Sequence, residues 1–199
     1  MDRKGGSMKL VAGLSIGAML VIATACGGGP AGPAGEGNVK VVATTNIVGD
    51  LVRTIGGSEI ELEVLMGPGI DPHLYKASAG DVRRMSSAQA IFYNGLHLEG
   101  KMSEILESVG ERGSVTVAVA ECVPERDLIT STDFSGLHDP HVWFDAGLWS
   151  QAAACVAETL AELDPEHAAD FQERSEAYID ELTILDGWIR QKVETLEPG

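Results

Sequence analysis

Apolar, β-branched segments alternate with short helical patterns from about Val39 onward, and this alternation constrains the fold more than any other feature of the chain. The strand-like segments are "NVKVVATTN", "EIELEVLM", "AIFYN" and "SVTVAVAE". The segments between them, "IVGDLVRTIGG", "SAGDVRRMSSA" and "LEGKMSEILESVG", have helical spacing of their apolar residues. Strands separated by helices predict crossover connections. We therefore predict an α/β fold, one lobe with a mainly parallel sheet and flanking helices.

The carboxyl-terminal part of the chain is predicted to be helical. "AGLWSQAAACVAETLAEL" follows Asp145, an expected N-cap, and Asp164-Pro165 then restarts the helix. An apolar stripe continues from there to Leu196, over a length that would span roughly 48 Å as a helix. Because a small domain does not need so long a helix, we interpret it as a link between two lobes, with a coiled-coil arm as the alternative.

The first residues have the pattern of an export signal. Three basic residues precede an uncharged apolar run from Leu10 to Ala25, which is too short to cross a bilayer comfortably. The small residues before Cys26 resemble the lipobox of bacterial lipoproteins, and this resemblance implies cleavage before Cys26 and acylation of its sulfur. The alternatives are a plain cleavable signal with Cys26 as an ordinary residue, and a start at Met8.

These patterns divide the chain into four expected regions. Residues 1–25 are a lipoprotein signal peptide, and residues 26–38 are the acylated cysteine with a Gly/Pro-rich tether that cannot pack. Residues 39–163 form the amino-terminal α/β lobe, and residues 164–197 form the long linking helix.

Charge and cysteine content limit the chemistry. The formal net charge of −16 repels nucleic acid and anionic lipid head groups and is compatible with attracting cations, although a soluble acidic surface explains it equally well. Cys122 and Cys155 could pair outside the cytoplasm, but Cys155 lies in an Ala-rich helical pattern that favours a buried thiol. No C-x-x-C motif occurs, which excludes thiol redox motifs and cysteine zinc clusters.

The tripeptide Asp-Pro-His occurs twice and ends in His73 and His141. Proline fixes its own backbone angle, so the histidine that follows leaves a stiff loop in a defined direction. Asp71 and Asp139 are expected to orient these imidazoles by capping an amide or holding the ring NH. Neutral imidazole suits zinc, manganese, iron and copper. From the residues alone, the alternatives are a metal site and turn histidines with ordinary hydrogen bonds.

Several segments in a fixed order carry a family resemblance. "VVATTNIVGDLVRTIGG", "LMGPGIDPHLYKASAGDVRRMSSAQAIFYNGLHLEGKM" and "DPHVWFD" resemble successive signatures of the solute-binding lipoproteins of ABC importers for zinc and manganese. The resemblance runs from about Val39 to the end. It implies two α/β lobes joined by a rigid helix, with the metal between them and His73 and His141 as its first two ligands. It gives no ligand role to His97, and Pro140 argues against an H-x-x-H pair of His138 with His141.

The family's remaining two ligands belong to a second lobe, for which this sequence has no counterpart. We therefore expect this chain to be the amino-terminal part of a longer protein, with weak metal affinity on its own and an exposed apolar helix that favours aggregation or pairing. The resemblance implies Zn²⁺ or Mn²⁺ as the transported ligand, an ABC permease as partner and a lipid-anchored position on the outer face of the bacterial cytoplasmic membrane. The absence of a His-rich loop mildly favours manganese or mixed-metal specificity.

Two other functions compete with transport. An adhesion or partner-binding lipoprotein is one alternative. A metallohydrolase using His73, His141 and Asp71 or Asp139 is the other, but no general base stands beside the histidines and no H-E-x-x-H motif occurs. We therefore predict a binding protein without catalysis.

Overall fold

The core of the molecule is a four-stranded, wholly parallel sheet. The structure, a computed structural model, describes residues 38–132 and 136–196. The strands are β1 (Val39–Thr45), β2 (Ile60–Met66), β3 (Ala90–Tyr93) and β4 (Val115–Ala118). They lie in the order β2-β1-β3-β4, and each neighbouring pair is parallel. The predicted α/β class with a mainly parallel sheet is confirmed.

Helices connect and flank the strands. They are α1 (Asn46–Gly56), α2 (Ala79–Ser87), α3 (Ser103–Gly110), α4 (Ala146–Leu163) and α5 (Ala168–Glu194). Short 3-10 turns occur at Gly100–Met102, Val119–Cys122, Glu125–Asp127, Val142–Phe144 and Pro165–His167.

Both faces of the sheet are covered. On one face, residues of α1, α4 and α5 pack with alternate residues of β1, including Val41. On the other face, α2 and α3 pack around Val42 and Ile91. Adjacent residues of β1 thus point into different cores, which explains why this central strand reads as an almost continuous apolar run. The edge strand β2 instead alternates, with Glu61 exposed and Ile60 buried.

Two packed helices form the carboxyl-terminal part of the fold. Asp145 caps α4 by accepting a hydrogen bond from the amide of Leu148 at 3.0 Å, as predicted. The predicted helix from Pro165 to Leu196 is present as the turn Pro165–His167 followed by the 27 residues of α5. Its apolar stripe has buried residues as far as Leu182 and is exposed beyond that residue. Phe171 is fully buried, whereas Trp188 is 55% exposed.

Arg174 fastens α5 to the lobe. Its guanidinium donates to the carbonyl oxygens of Ile55 at 2.6 Å and Gly56 at 3.2 Å, and to a carboxylate oxygen of Glu59 at 2.8 Å. These partners lie at the carboxyl end of α1 and just before β2, the end of the sheet opposite to the carboxyl ends of β1 and β2.

A disulfide joins Cys122, in the turn after β4, to Cys155 in the middle of α4. The expectation that Cys155 has a free, buried thiol is therefore wrong. The helical pattern correctly placed Cys155 on α4 but could not show that the turn Val119–Cys122 packs against this helix. The bond ties the edge of the sheet to the helical layer.

The predicted signal peptide, Cys26 and nearly all of the tether lie outside the described residues. Among the helices of residues 38–132 and 136–196, none combines the length and the apolar run needed to cross a membrane.

Candidate metal centre

The two Asp-Pro-His loops meet at the carboxyl end of the sheet. Strand β2 lies on one side of β1, and β3 lies on the other side. The direction in which strands are added therefore reverses between β1 and β3. Ligand sites of open α/β sheets lie at such switch points, beyond the carboxyl ends of the strands. A cavity of about 310 Å³ lies here and includes Thr45 and Met66, the last residues of β1 and β2, together with His73 and His141.

The first loop holds His73 through its backbone. The amide of His73 donates to Oδ1 of Asp71 at 2.9 Å, and the amide of Leu74 donates to the carbonyl oxygen of Asp71 at 3.3 Å. Asp71 therefore caps the turn after Pro72, as expected for Asx-type turns.

The second loop holds both the backbone and the ring of His141. Oδ1 of Asp139 accepts the amide of His141 at 2.9 Å and lies 2.7 Å from ring Nδ1. The hydrogen bonds from the amide and then the ring of His141 lower the pKa of Asp139. A carboxylate at Nδ1 fixes the proton there and leaves Nε2 as the basic nitrogen, the usual arrangement behind a metal-binding histidine.

The imidazoles of His73 and His141 face the same space. Their ring centroids are 5.5 Å apart, with an angle of 53° between the planes. A tetrahedral ion held by two ring nitrogens at about 2.0–2.1 Å would place two imidazole centroids roughly 5 Å apart. The observed separation of 5.5 Å is close to this value. Trp143 packs edge-on against His141 at 5.2 Å, which restricts the ring further.

The described residues supply two strong metal donors here and no more. Within residues 38–132 and 136–196, no group of three or more His, Cys, Asp or Glu side chains could hold a metal ion. Two imidazoles leave half of a tetrahedral coordination shell to other donors.

The other histidines have different environments. His97 and His138 line a second pocket, of about 570 Å³, that also reaches His73 and His141. Nε2 of His138 lies 3.6 Å from Oε1 of Glu125, outside the candidate centre.

His167 lies far along the chain from both loops. Nδ1 of His167 lies 2.7 Å from Oδ2 of Asp164. Hydrogen bonding to Asp164 raises the pKa of His167. The side chain of His167 is 41% exposed.

Sequence reasoning also missed three buried polar residues behind the centre. Thr44, Asn94 and Glu99 are each 2% exposed or less. The pKa of Glu99 is raised, because the effect of burial outweighs the hydrogen bonds from Thr44, Asn94 and Gly95, which act to lower it. The Asn-Gly pair directly after an apolar strand was the one signal, because such a pair marks a tight turn at the carboxyl edge of the sheet.

The fold and the candidate centre define a structural class, a parallel α/β lobe with two imidazoles at its switch point. Residues 41–199 match the family described as ZnuA, zinc-uptake complex component A, periplasmic. The match covers most of the chain, and the chain belongs to this family.

Two curated relatives illustrate the similarity. The chain is 40% identical over 170 residues to the manganese-binding lipoprotein MntA of Bacillus subtilis, covering 85% of this chain and 55% of that one. It is 43% identical over 166 residues to the zinc-binding protein TroA of Treponema pallidum, covering 82% and 52%. The chain thus spans about half the length of these relatives.

A solved structure agrees with the fold. The periplasmic zinc-binding protein TroA from Treponema pallidum superimposes with a TM-score of 0.75 at 42% identity, over 81% of this chain and 57% of that one.

Proposed function

We propose that this chain provides the metal-capturing lobe of an extracytoplasmic solute-binding component of an ABC importer for Zn²⁺ or Mn²⁺. One observation carries the proposal, the 5.5 Å separation of the His73 and His141 rings at the switch point of the sheet. The names of the relatives, which bind zinc or manganese, support the same cargo.

Each residue of the centre has a distinct part in capture. His73 and His141 donate ring nitrogens to the incoming ion, which is the transported substrate. Asp139 keeps the Nδ1 proton of His141 in place, so that Nε2 is free to bind. Asp71 orients His73 through its amide. The stiff turns mean that both rings lose little freedom on binding, which favours affinity.

The remaining assignments extend this proposal to the whole protein. We place residues 1–25 as signal peptide, residues 26–38 as a tether anchored through lipid on Cys26, residues 39–163 as the lobe and residues 164–197 as the linking helix. The membrane permease is the partner that receives the ion, and the outer face of the bacterial cytoplasmic membrane is the location. The disulfide between Cys122 and Cys155 supports this location, because disulfides persist in oxidising compartments.

A metal titration tests the proposal. The 199-residue chain, stripped with a chelator, is titrated with Zn²⁺ and Mn²⁺ in competition with a chromophoric chelator. One ion should bind per chain, and His73→Ala or His141→Ala should weaken binding by more than about tenfold, the loss that an outer partner of a ligand alone produces. His167→Ala is the matched control and should leave the affinity unchanged. Undiminished binding after both ligand substitutions would contradict the proposal.

A further inference from the structure

The loop after β3 has an unusual backbone. Gly95, Leu96 and His97 are consecutive residues with positive φ angles of 84°, 50° and 64°. Left-handed conformations cost free energy in residues other than glycine and persist where surrounding contacts enforce them. One such contact is the amide of Leu96, which donates to Oε1 of Glu121 at 3.2 Å.

A buried carboxylate enforces the start of this loop. Oε1 of Glu99 accepts the amide of Asn94 at 2.8 Å, and Oε2 accepts the amide of Gly95 at 3.2 Å. The same Oε1 accepts the hydroxyl of Thr44, near the end of β1, at 2.7 Å. Glu99 is 2% exposed, and it therefore joins the carboxyl ends of β1 and β3 from inside the protein.

The side chain of Asn94 carries this connection to the candidate metal centre. Nδ2 of Asn94 donates to the carbonyl oxygen of Pro140 at 2.9 Å, and to that of Gly95 at 3.1 Å. Pro140 directly precedes His141. Asn94 is completely buried, so water cannot replace its amide as the donor to Pro140 without a rearrangement.

We propose that Asn94 and Glu99 are positioning residues that hold the His141 loop in its metal-binding arrangement. Glu99 fixes the backbone of Asn94, and Asn94 fixes Pro140, so the strained loop sets where the His141 ring stands relative to His73. This inference rests on the proposed function. It is specific to one ligand, because the hydrogen bonds of the His73 turn run to Asp71 and not to Asn94.

The first test compares substitutions of Asn94, which is buried, and Arg174, which is partly buried, at opposite ends of the sheet. Asn94→Leu keeps the branch at Cγ, in a larger side chain, and removes both side-chain donors. The control, Arg174→Met, removes the donors to Ile55, Gly56 and Glu59 far from the centre. By chelator competition, Asn94→Leu should weaken Zn²⁺ binding on the order of tenfold, and Arg174→Met should lower only the unfolding midpoint. Equal affinity losses in the two variants would overturn the inference.

A second readout needs no metal. In the metal-free chain with ¹⁵N-labelled histidine, Asn94→Leu should move the ring nitrogen resonances of His141 and leave those of His73 in place. Thr44→Val is a milder change that removes one donor to Glu99, and it should move the same His141 signals by a smaller amount. This variant tests the inference even if Asn94→Leu does not fold. Unmoved His141 signals would overturn the inference. Failure of the wild-type chain to bind Zn²⁺ would contradict the proposed function separately, because the nitrogen signals do not depend on it.

Discussion

Oδ1 of Asp139 accepts the amide of His141 at 2.9 Å and lies 2.7 Å from its ring Nδ1, so one carboxylate oxygen sets both the backbone and the ring of this histidine. Asp71 occupies the same place in the other Asp-Pro-His loop, where its Oδ1 accepts the amide of His73 at 2.9 Å. Two identical tripeptides are therefore not equivalent in three dimensions.

This difference predicts unequal effects of two matched substitutions. Asp139→Ala should weaken Zn²⁺ binding by roughly 10- to 100-fold, because the His141 ring loses the partner that fixes its tautomer. Asp71→Ala should weaken Zn²⁺ binding less, because it removes the acceptor for the amide of His73 but no hydrogen-bond partner of the His73 ring. Chelator competition on both variants measures the difference, and equal losses would show that Asp139 acts only through the backbone.

The disulfide predicts a large stability effect. Its cysteines are 33 residues apart, and closing a loop of this length stabilises the folded state by roughly 3 to 4 kcal/mol in the chain-entropy account. Cys122→Ser/Cys155→Ser should lower the free energy of unfolding by about this amount in urea titrations. The same variant should show no further loss on treatment with a reductant, whereas the wild-type chain should. Two free thiols at these positions in oxidised protein would contradict the prediction.

Asp81 predicts a defined dependence of stability on pH. Its Oδ2 accepts hydrogen bonds from the amide of Ser78 at 2.7 Å and the hydroxyl of Tyr75 at 2.8 Å. Burial acts to raise the pKa of Asp81, but hydrogen bonds from Ser78, Tyr75 and Arg84 outweigh it and the pKa is lowered. A lowered folded-state pKa gives stability that is present above the unfolded-state pKa, about 3.9, and is lost as the pH falls through the folded-state pKa.

Asp81→Ala should therefore cost about 2 kcal/mol at pH 7 and progressively less as the pH falls below about 4. Thr45→Ala is the control, because it removes the neutral N-cap of α1 and should cost about 1 kcal/mol without this pH dependence. Urea titrations at several pH values measure both variants. A cost of Asp81→Ala that stays constant to pH 3 would argue against the lowered pKa.

The second half of α5 predicts self-association of the 199-residue chain. Ile184, Trp188 and Val193 are 73%, 55% and 57% exposed, an apolar surface of the kind that promotes pairing. Light scattering should show species larger than a monomer, with the proportion rising with concentration. Ile184→Lys together with Trp188→Lys should reduce association, whereas Gln172→Lys, on the exposed face of the first half, should not. A monodisperse monomer would contradict this expectation.

Periodicity predicted those parts of the fold that depend on local sequence. "EIELEVLM" alternates because β2 lies at the sheet edge, and the stripe through Trp149 and Val156 follows the buried face of α4. The local sequence pattern gave a wrong helix boundary where residues from distant parts of the chain come together. "LEGKMSEILESVG" indicates one amphipathic helix, but α3 begins only at Ser103, because donors from two strand ends hold Glu99 inside the protein.

For the candidate centre too, some features could be predicted from the local sequence and others could not. The repeated tripeptide singled out His73 and His141 but left turn histidines as an alternative, and only the resemblance to a family implied that the two bind one metal ion. Nothing local in the sequence could assign Asn94 to the carbonyl oxygen of Pro140, since that contact depends on how β3 lies beside the second loop.

His73 and His141 stand 68 residues apart in the chain and come together only because the strand order reverses between β1 and β3. An unfolded polypeptide holds them, on average, too far apart to chelate one ion. On the proposed function, metal binding and folding are thermodynamically linked, and each tenfold rise in free zinc above its dissociation constant should add about 1.4 kcal/mol to the stability of the lobe. On the same proposal, surroundings poor in zinc or manganese would leave a less stable pool of this protein than surroundings rich in these ions.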